Sequence, residues 1–341
     1  MFWERLKKPF FALAPMADVT DAAFRRIIAK YSAHRRADGT VGAADVTWTE
    51  FVSADGLVCA TQEGKQKLLA DLIYGEEERP IVAQLFSSNP AHMEEAAALC
   101  RGLGFDGIDI NMGCPDRSIE KQGCGAAMIK NPERACEIIA AAKRGAPNLP
   151  VSVKTRIGYT KDELDTWLPA LLLAEPAAVA IHARTRKEMS NVPAQWERIK
   201  RAVEIRNACD SKTLIIGNGD AVGLEDARAK ARASGADGVM LGRAIFGNPW
   251  LFHPEKDAVN VSLEEKLRVM VEHTTLFAEM LPHKSLAIMK KHYKAYVQGF
   301  DGAHALRARL MEAENAREIE TLVEAFIHDT PRALLDSSAT L

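Results

Sequence analysis

The chain has 341 residues, 47% of them hydrophobic, enough to bury one large core and a smaller one beside it. Its 44 Lys and Arg against 46 Asp and Glu leave a formal charge of −2 and a pI near 6.5. This excludes a protein that is basic throughout, so any attraction for nucleic acid must come from a local patch. Six cysteines without metal-type or paired spacing predict reduced thiols, a cytoplasmic protein and no bound metal, and no apolar run is long enough to cross a membrane.

Near the start, Lys7-Lys8 followed by Pro9–Ala17 superficially resembles a leader, but its two prolines, its brevity and Asp18 make a first strand the better reading. Eight short runs have the length, β-branched content and bounding Gly, Pro or polar residues of buried strands. They are Phe10–Met16, Asp45–Phe51, Pro80–Phe86, Gly107–Gly113, Val151–Ile157, Ala178–Arg184, Thr213–Gly219 and Gly238–Ala244. Segments of helical spacing such as Pro90–Leu103 and Gly223–Ser234 lie between most of them. Strands alternating with helices predict a parallel (β/α)8 TIM barrel. A doubly wound sheet is the alternative, but it would open on a Gly-rich dinucleotide loop, and Ala14-Pro15-Met16-Ala17-Asp18 is no such loop.

The barrel places residues that close its strands at one mouth. Those residues are Met16, Glu50, Gln84, Asn111 with Cys114, Lys154 with Arg156, His182 with Arg184, Asn218 with Asp220, and Gly242 with Arg243. One of them taken alone reads as an ordinary capping or solvated group; eight endings in one ring read as a site. Gly217-Asn218-Gly219-Asp220 and Gly242-Arg243 follow the last two strands, the usual phosphate grip of this fold. Val222 stands where a dinucleotide fingerprint needs its third glycine, so the expected ligand is of mononucleotide type. Gln84 and Lys154 suit a planar, electron-accepting heterocycle, and flavin mononucleotide (FMN) fits the set better than a sugar phosphate.

From about Ser262 the strand runs stop and long amphipathic helices begin, dividing the chain into a barrel over 1–255 and a helical part over 256–341. Ser262-Leu263-Glu264-Glu265 reads as a capping box, followed by an apolar stripe of Leu263, Leu267, Met270, Val271, Phe277 and Leu281. Beyond it, Lys284, Lys290, Lys291, Lys294, Arg307 and Arg309 outweigh Asp301, with His292, Tyr293 and Tyr296 interleaved. Such a face suits phosphate contacts and base stacking on RNA, or is simply a solvated helix face. The tail from Leu335 is expected to fray.

Ala14-Pro15-Met16-Ala17-Asp18, Thr49-Glu50-Phe51-Val52-Ser53-Ala54, Asn111-Met112-Gly113-Cys114-Pro115, Gly123-Cys124-Gly125-Ala126-Ala127, Lys154-Thr155-Arg156, His182-Ala183-Arg184-Thr185-Arg186 and the two glycine motifs resemble the tRNA-dihydrouridine synthase family. The likeness runs over nearly the whole chain and is greatest to the bacterial B-type branch. It implies a flavin enzyme that uses NADPH to reduce the C5=C6 bond of uridines in tRNA. It also implies a monomer and a C-terminal helical domain that grips the RNA through Lys290, Lys291 and Lys294. Carried over by position, Pro15, Met16 and Ala17 lie against the flavin ring, and Gln84, Lys154 and His182 at its polar edge and chain. Asn218, Gly219, Asp220, Gly242 and Arg243 surround the phosphate, Cys114 is the proton donor, and Asn111, Arg156 and Arg184 are left to face the substrate. Two departures are Asp18, where glycine is frequent, and a lengthened His34–Ala44 connection.

The residue chemistry agrees. Hydride addition at C6 needs a proton at C5, and a thiol with an ordinary pKa of about 8.5 still carries its proton at neutral pH. Cys124, in a glycine-rich loop, is the rival donor, while Cys59, Cys100, Cys136 and Cys209 read as small buried hydrophobes. Two alternatives stay open: a flavin barrel reducing a free pyrimidine or small enone, and an RNA-binding protein that has lost catalysis.

Overall fold

The protein is described by a computed structural model covering residues 1–36 and 39–336. Eight parallel strands form the expected barrel: β1 Phe10–Leu13, β2 Thr47–Trp48, β3 Ile81–Phe86, β4 Gly107–Met112, β5 Val151–Arg156, β6 Ala178–His182, β7 Leu214–Asn218 and β8 Gly238–Leu241. Each pairs with its sequence neighbour, and β8 pairs with β1. The ring closes between β1 and β2 through an Ala12–Val46 bridge and the Leu13 N–H bond to the Val46 carbonyl at 3.1 Å. The expected second strand shrinks to Thr47–Trp48, with Val52–Ser53 pairing separately against Leu85 and Phe86.

Phe2 and Trp3 plug one end of the barrel, where Trp3 packs on Phe10 and Trp48 at ring distances of 5.7 and 6.1 Å. Phe10, Ala12, Val82, Ala180, Ile216 and Met240 continue this core upward. Burying such side chains contributes roughly 1.5–3 kcal/mol for each large one. Because strand side chains alternate faces, apolar residues of β4 such as Ile108 and Ile110 lie on one face, leaving Asp109 and Asn111 together on the other.

Packing separates two compact units. The barrel unit comprises Met1–Ala17, Asp45–Ile73 and Arg79–Gly242; the second comprises Asp18–Ala44, Tyr74–Glu78 and Arg243–Leu341. These units are discontinuous, whereas the sequence reading placed a single division between 255 and 256. In the second unit, helix Leu263–Met280 is capped by Ser262, whose hydroxyl accepts the Glu265 N–H at 3.1 Å. Five of its six stripe residues are buried; Val271 is half-buried. His273 and His292 are also buried, packed on Phe24 at 4.7 Å each. Burial holds both rings neutral. Asp18 adopts φ +56°, a left-handed turn that explains why glycine suits that position. Within the lengthened connection His34–Arg35 pairs antiparallel with Val41–Gly42; residues 37 and 38, like the tail from 337, lie outside the described residues.

Candidate active site

Strand register assembles a polar column inside the barrel. Gln84 lies opposite Asp109, Asp109 opposite Ser152, and Asn111 opposite Lys154. The Gln84 amide donates to Asp109 at 2.7 Å and accepts from Asn111 at 3.2 Å, so its orientation is set from both sides. Ser152 donates to the other Asp109 oxygen. Asp109 is completely buried, and burial pushes its carboxyl up to about 6 although Ser152, Gln84 and the Lys154 charge all favour the ionised form. Sequence reasoning passed over Asp109. Its signal was present: it is the one acid in an apolar run, two residues from Asn111 and therefore on the same face.

Lys154 donates to the Asn218 side chain at 3.2 Å, and Asn218 in turn donates to the Met240 carbonyl at 2.8 Å. Burial, with Arg156 nearby, draws the Lys154 ammonium down to about 8; Asp109 and Cys114 oppose the shift. His182 is driven to about 2 by burial first and then by Lys154, Arg156 and Arg184. Arg184 reaches its Nε2 at 3.0 Å. A guanidinium can only donate, so Nε2 accepts and the neutral ring carries its proton on Nδ1. Asp220 pairs with Arg184 and accepts the Ala194 N–H at 2.8 Å. The intervening turn requires glycine: Gly219 has φ +126°, and a Cβ there would lie 2.8 Å from Ala194.

The segment after β4 is held from several directions. Asn111 Oδ1 accepts the Gly113 and Cys114 N–H groups at 3.1 and 2.9 Å. Arg156, expected to face substrate, is buried and spends its guanidinium on the carbonyls of Gly113, Thr185 and Met189 at 2.8, 3.1 and 2.9 Å. The Ala126 N–H bonds the Cys114 carbonyl at 2.9 Å. Arg186, which pairs with Glu120, donates to the Pro115 carbonyl at 3.2 Å. Cys114 itself is half-buried, and burial raises its thiol above the ordinary range despite Arg156 and Lys154. Cys124 is fully buried against Phe86 and Ile119, which pushes it up to about 11. Of the four cysteines read as buried hydrophobes, Cys100 is buried and Cys136 half-buried. Cys59 and Cys209 are exposed, because each ends a helix on its solvent side instead of pointing at the core.

Pro15 and Met16 are half-buried and Ala17 exposed after β1, and a Cβ added to Gly242 at the end of β8 would lie 3.5 Å from the Met16 sulfur. Hydrogen bonds and strand register link Gln84, Asn111, Lys154, Asn218, His182, Arg184 and Asp220 within the barrel unit. Arg243 belongs to the second unit, where it is exposed at the start of the turn Arg243–Ile245. So do Lys290, Lys291 and Lys294 on helix Lys290–Tyr296. Lys290 and Lys294 are exposed and Lys291 half-buried. His292, Tyr293 and Tyr296 are buried in the helical core, which corrects the expectation that they stack on bases. The helix turns its cations outward and its rings inward.

A family model described as dihydrouridine synthase (Dus) matches residues 12–330. A "probable tRNA-dihydrouridine synthase" of Staphylococcus aureus (strain MRSA252) is 38% identical over 331 residues, covering 95% of each chain. A "probable tRNA-dihydrouridine synthase 2" of Bacillus subtilis (strain 168) is also 38% identical, covering 95% of this chain and 96% of its own. Among solved structures, a 2-naphthoyl-CoA reductase in complex with 2-naphthoyl-CoA is similar with a TM-score of 0.51 at 12% identity, over 71% of this chain and 49% of that one. That likeness concerns the fold alone. With a family match over nearly its whole length and relatives of this identity, the chain belongs to the dihydrouridine synthase family and is an enzyme of that class.

Proposed function

We propose that this enzyme is an FMN-dependent tRNA-dihydrouridine synthase that takes reducing equivalents from NADPH and saturates the C5=C6 bond of uridines in tRNA. The observation that carries the reading is a half-buried thiol, Cys114, that keeps its proton at neutral pH and is fastened beside the cationic side chains of Lys154 and Arg156. The residues present fit a flavin. Lys154 is half-buried, and its hydrogen-bond partner is a neutral amide, so a positive charge is left to face an electron-rich heterocycle. Gln84 and His182 add polar groups, while Pro15, Met16 and Ala17 offer an apolar surface to the ring. The glycine-bearing turn at Gly219, with Asn218 and Gly242, suits the phosphate. Asp220 serves by holding Arg184 instead of meeting phosphate, since its carboxylate is already engaged.

When bound, a reduced flavin supplies hydride to C6 of the pyrimidine. Cys114 holds the proton for C5 on Sγ, and its raised pKa keeps it there until the carbon becomes basic. Asn111 and Arg156 fix the backbone that aims this thiol. Burial, reinforced by Lys154, Arg156 and Arg184, keeps His182 neutral, so the imidazole adds no competing acid. The barrel part, residues 1–255, carries the chemistry, and the helical part, 256–341, binds tRNA phosphates through Lys290, Lys291 and Lys294. The reading includes a monomeric, cytoplasmic enzyme; no described helix is long and apolar enough to cross a membrane.

The test is Cys114→Ala with unmodified tRNA and NADPH, read by nucleoside mass spectrometry. The variant should bind flavin and accept hydride from NADPH while dihydrouridine formation drops by about 10²–10⁴, the usual worth of a positioned acid. Unchanged turnover would transfer the role to Cys124. If the native protein oxidises NADPH but modifies no tRNA, a free pyrimidine becomes the better substrate.

A further inference from the structure

Outside the polar column, helix Ala54–Cys59 carries Asp55 and Cys59 four residues apart, hence on one face. Against that face lies His92, in the first turn of helix Pro90–Gly102. His92 Nδ1 is 2.6 Å from Asp55 Oδ1, and His92 Nε2 is 3.6 Å from Cys59 Sγ. Asp55 Oδ1 accepts a hydrogen bond from Nδ1–H, which leaves the Nε2 lone pair directed at the thiol. This is the order nucleophile, base, orienting carboxylate that activates a cysteine. The sulfur is exposed, so a reagent reaches it without any opening of the fold.

We propose that Cys59 is a reactive thiol site that exchanges with low-molecular-weight disulfides, with His92 as its base and Asp55 as a positioning residue. In the step, the Cys59 proton passes to His92 Nε2 and the thiolate attacks one sulfur of R–S–S–R. A new Sγ–S bond forms as the reagent's S–S bond breaks, and the departing thiolate takes the proton back from His92. Cys59 is oxidised to a mixed disulfide, and half of the reagent is reduced to a thiol. Nothing in this chemistry uses Cys114 or the barrel column, so it stands whether or not the proposed function does.

The second exposed cysteine, Cys209, ends helix Trp196–Ala208 and has no histidine partner among the described residues, so it is an internal control. The full-length protein would be incubated with oxidised glutathione at neutral pH and the adduct at each cysteine followed by peptide mass spectrometry. Cys59 should react about tenfold or more faster than Cys209, in keeping with base assistance. His92→Gln should bring Cys59 down to the Cys209 rate, and Asp55→Asn should reduce it in part. Equal rates at the two cysteines in the native protein would overturn the proposal, as would an unchanged Cys59 rate in a folded His92→Gln variant. If that variant does not fold, the native comparison and Asp55→Asn decide.

Discussion

Arg156→Lys separates two roles for a residue that the motif reading assigned to substrate. The side chain is 7% exposed, and three carbonyl groups, of Gly113, Thr185 and Met189, accept from its guanidinium. Lysine keeps the charge, but one ammonium cannot reproduce the fork and reaches about one of these carbonyls. Two bonds to a charged donor are then lost and two buried carbonyls go unpaired, at a cost of about 3–5 kcal/mol. For a chain of this size, with an unfolding entropy of about 0.7 kcal/mol/K, that lowers the melting temperature by roughly 4–7 °C. Since Gly113 immediately precedes Cys114, the thiol also loses its aim, and a misplacement of about 1 Å costs on the order of a hundredfold in rate. Thermal unfolding and steady-state dihydrouridine formation measure the two consequences. A brace predicts lower stability and lower kcat with KM for tRNA unchanged. Unaltered melting together with a raised KM would show that Arg156 meets the substrate and that the bracing argument is wrong.

Lys154→Met removes a half-buried ammonium without removing its volume, and flavin affinity should weaken by about 10- to 150-fold, the equivalent of one charge-assisted bond. Because Lys154 loses its proton near 8, native affinity should decline as pH rises through that value while the variant stays flat; flavin fluorescence titrations would show both, and a pH-independent native protein would refute the assignment. His292 titrates near 3 in the folded chain and at about 6.5 when unfolded. Between those values the unfolded chain binds more protons, so the stability contributed is complete above about 6.5 and is lost as pH falls toward 3, at up to ~1.4 kcal/mol per pH unit. His273 shifts in the same direction. His292→Phe should therefore halve the acid sensitivity of hydrogen exchange in helix Leu263–Met280, and an unchanged slope would place the sensitivity elsewhere.

Much of the barrel was legible in the sequence because strand and helix periodicities are local. Eight apolar runs closing on polar residues marked the topology and nominated candidates for its mouth, with Cys114 foremost through the Asn111–Pro115 motif. Strand ends were less legible, as with Thr47–Trp48, because pairing partners decide where a strand stops. What each side chain does at the mouth was not written locally at all. Arg156 and Arg184 read as substrate contacts by position, yet their partners come from segments some 30 residues or more away in some cases and turn them into supports. Asp109 looked like an interruption of a strand until register set it beside Gln84 and Ser152. In the helical unit, composition displayed cations and aromatics together, and only packing sorted Lys290 and Lys294 outward from Tyr293 and Tyr296. The sequence by itself determined the architecture and the chemical inventory, since both follow from short-range pattern. Only the tertiary structure decided which groups are buried, neutral or already bonded, because those properties belong to neighbours that are distant along the chain.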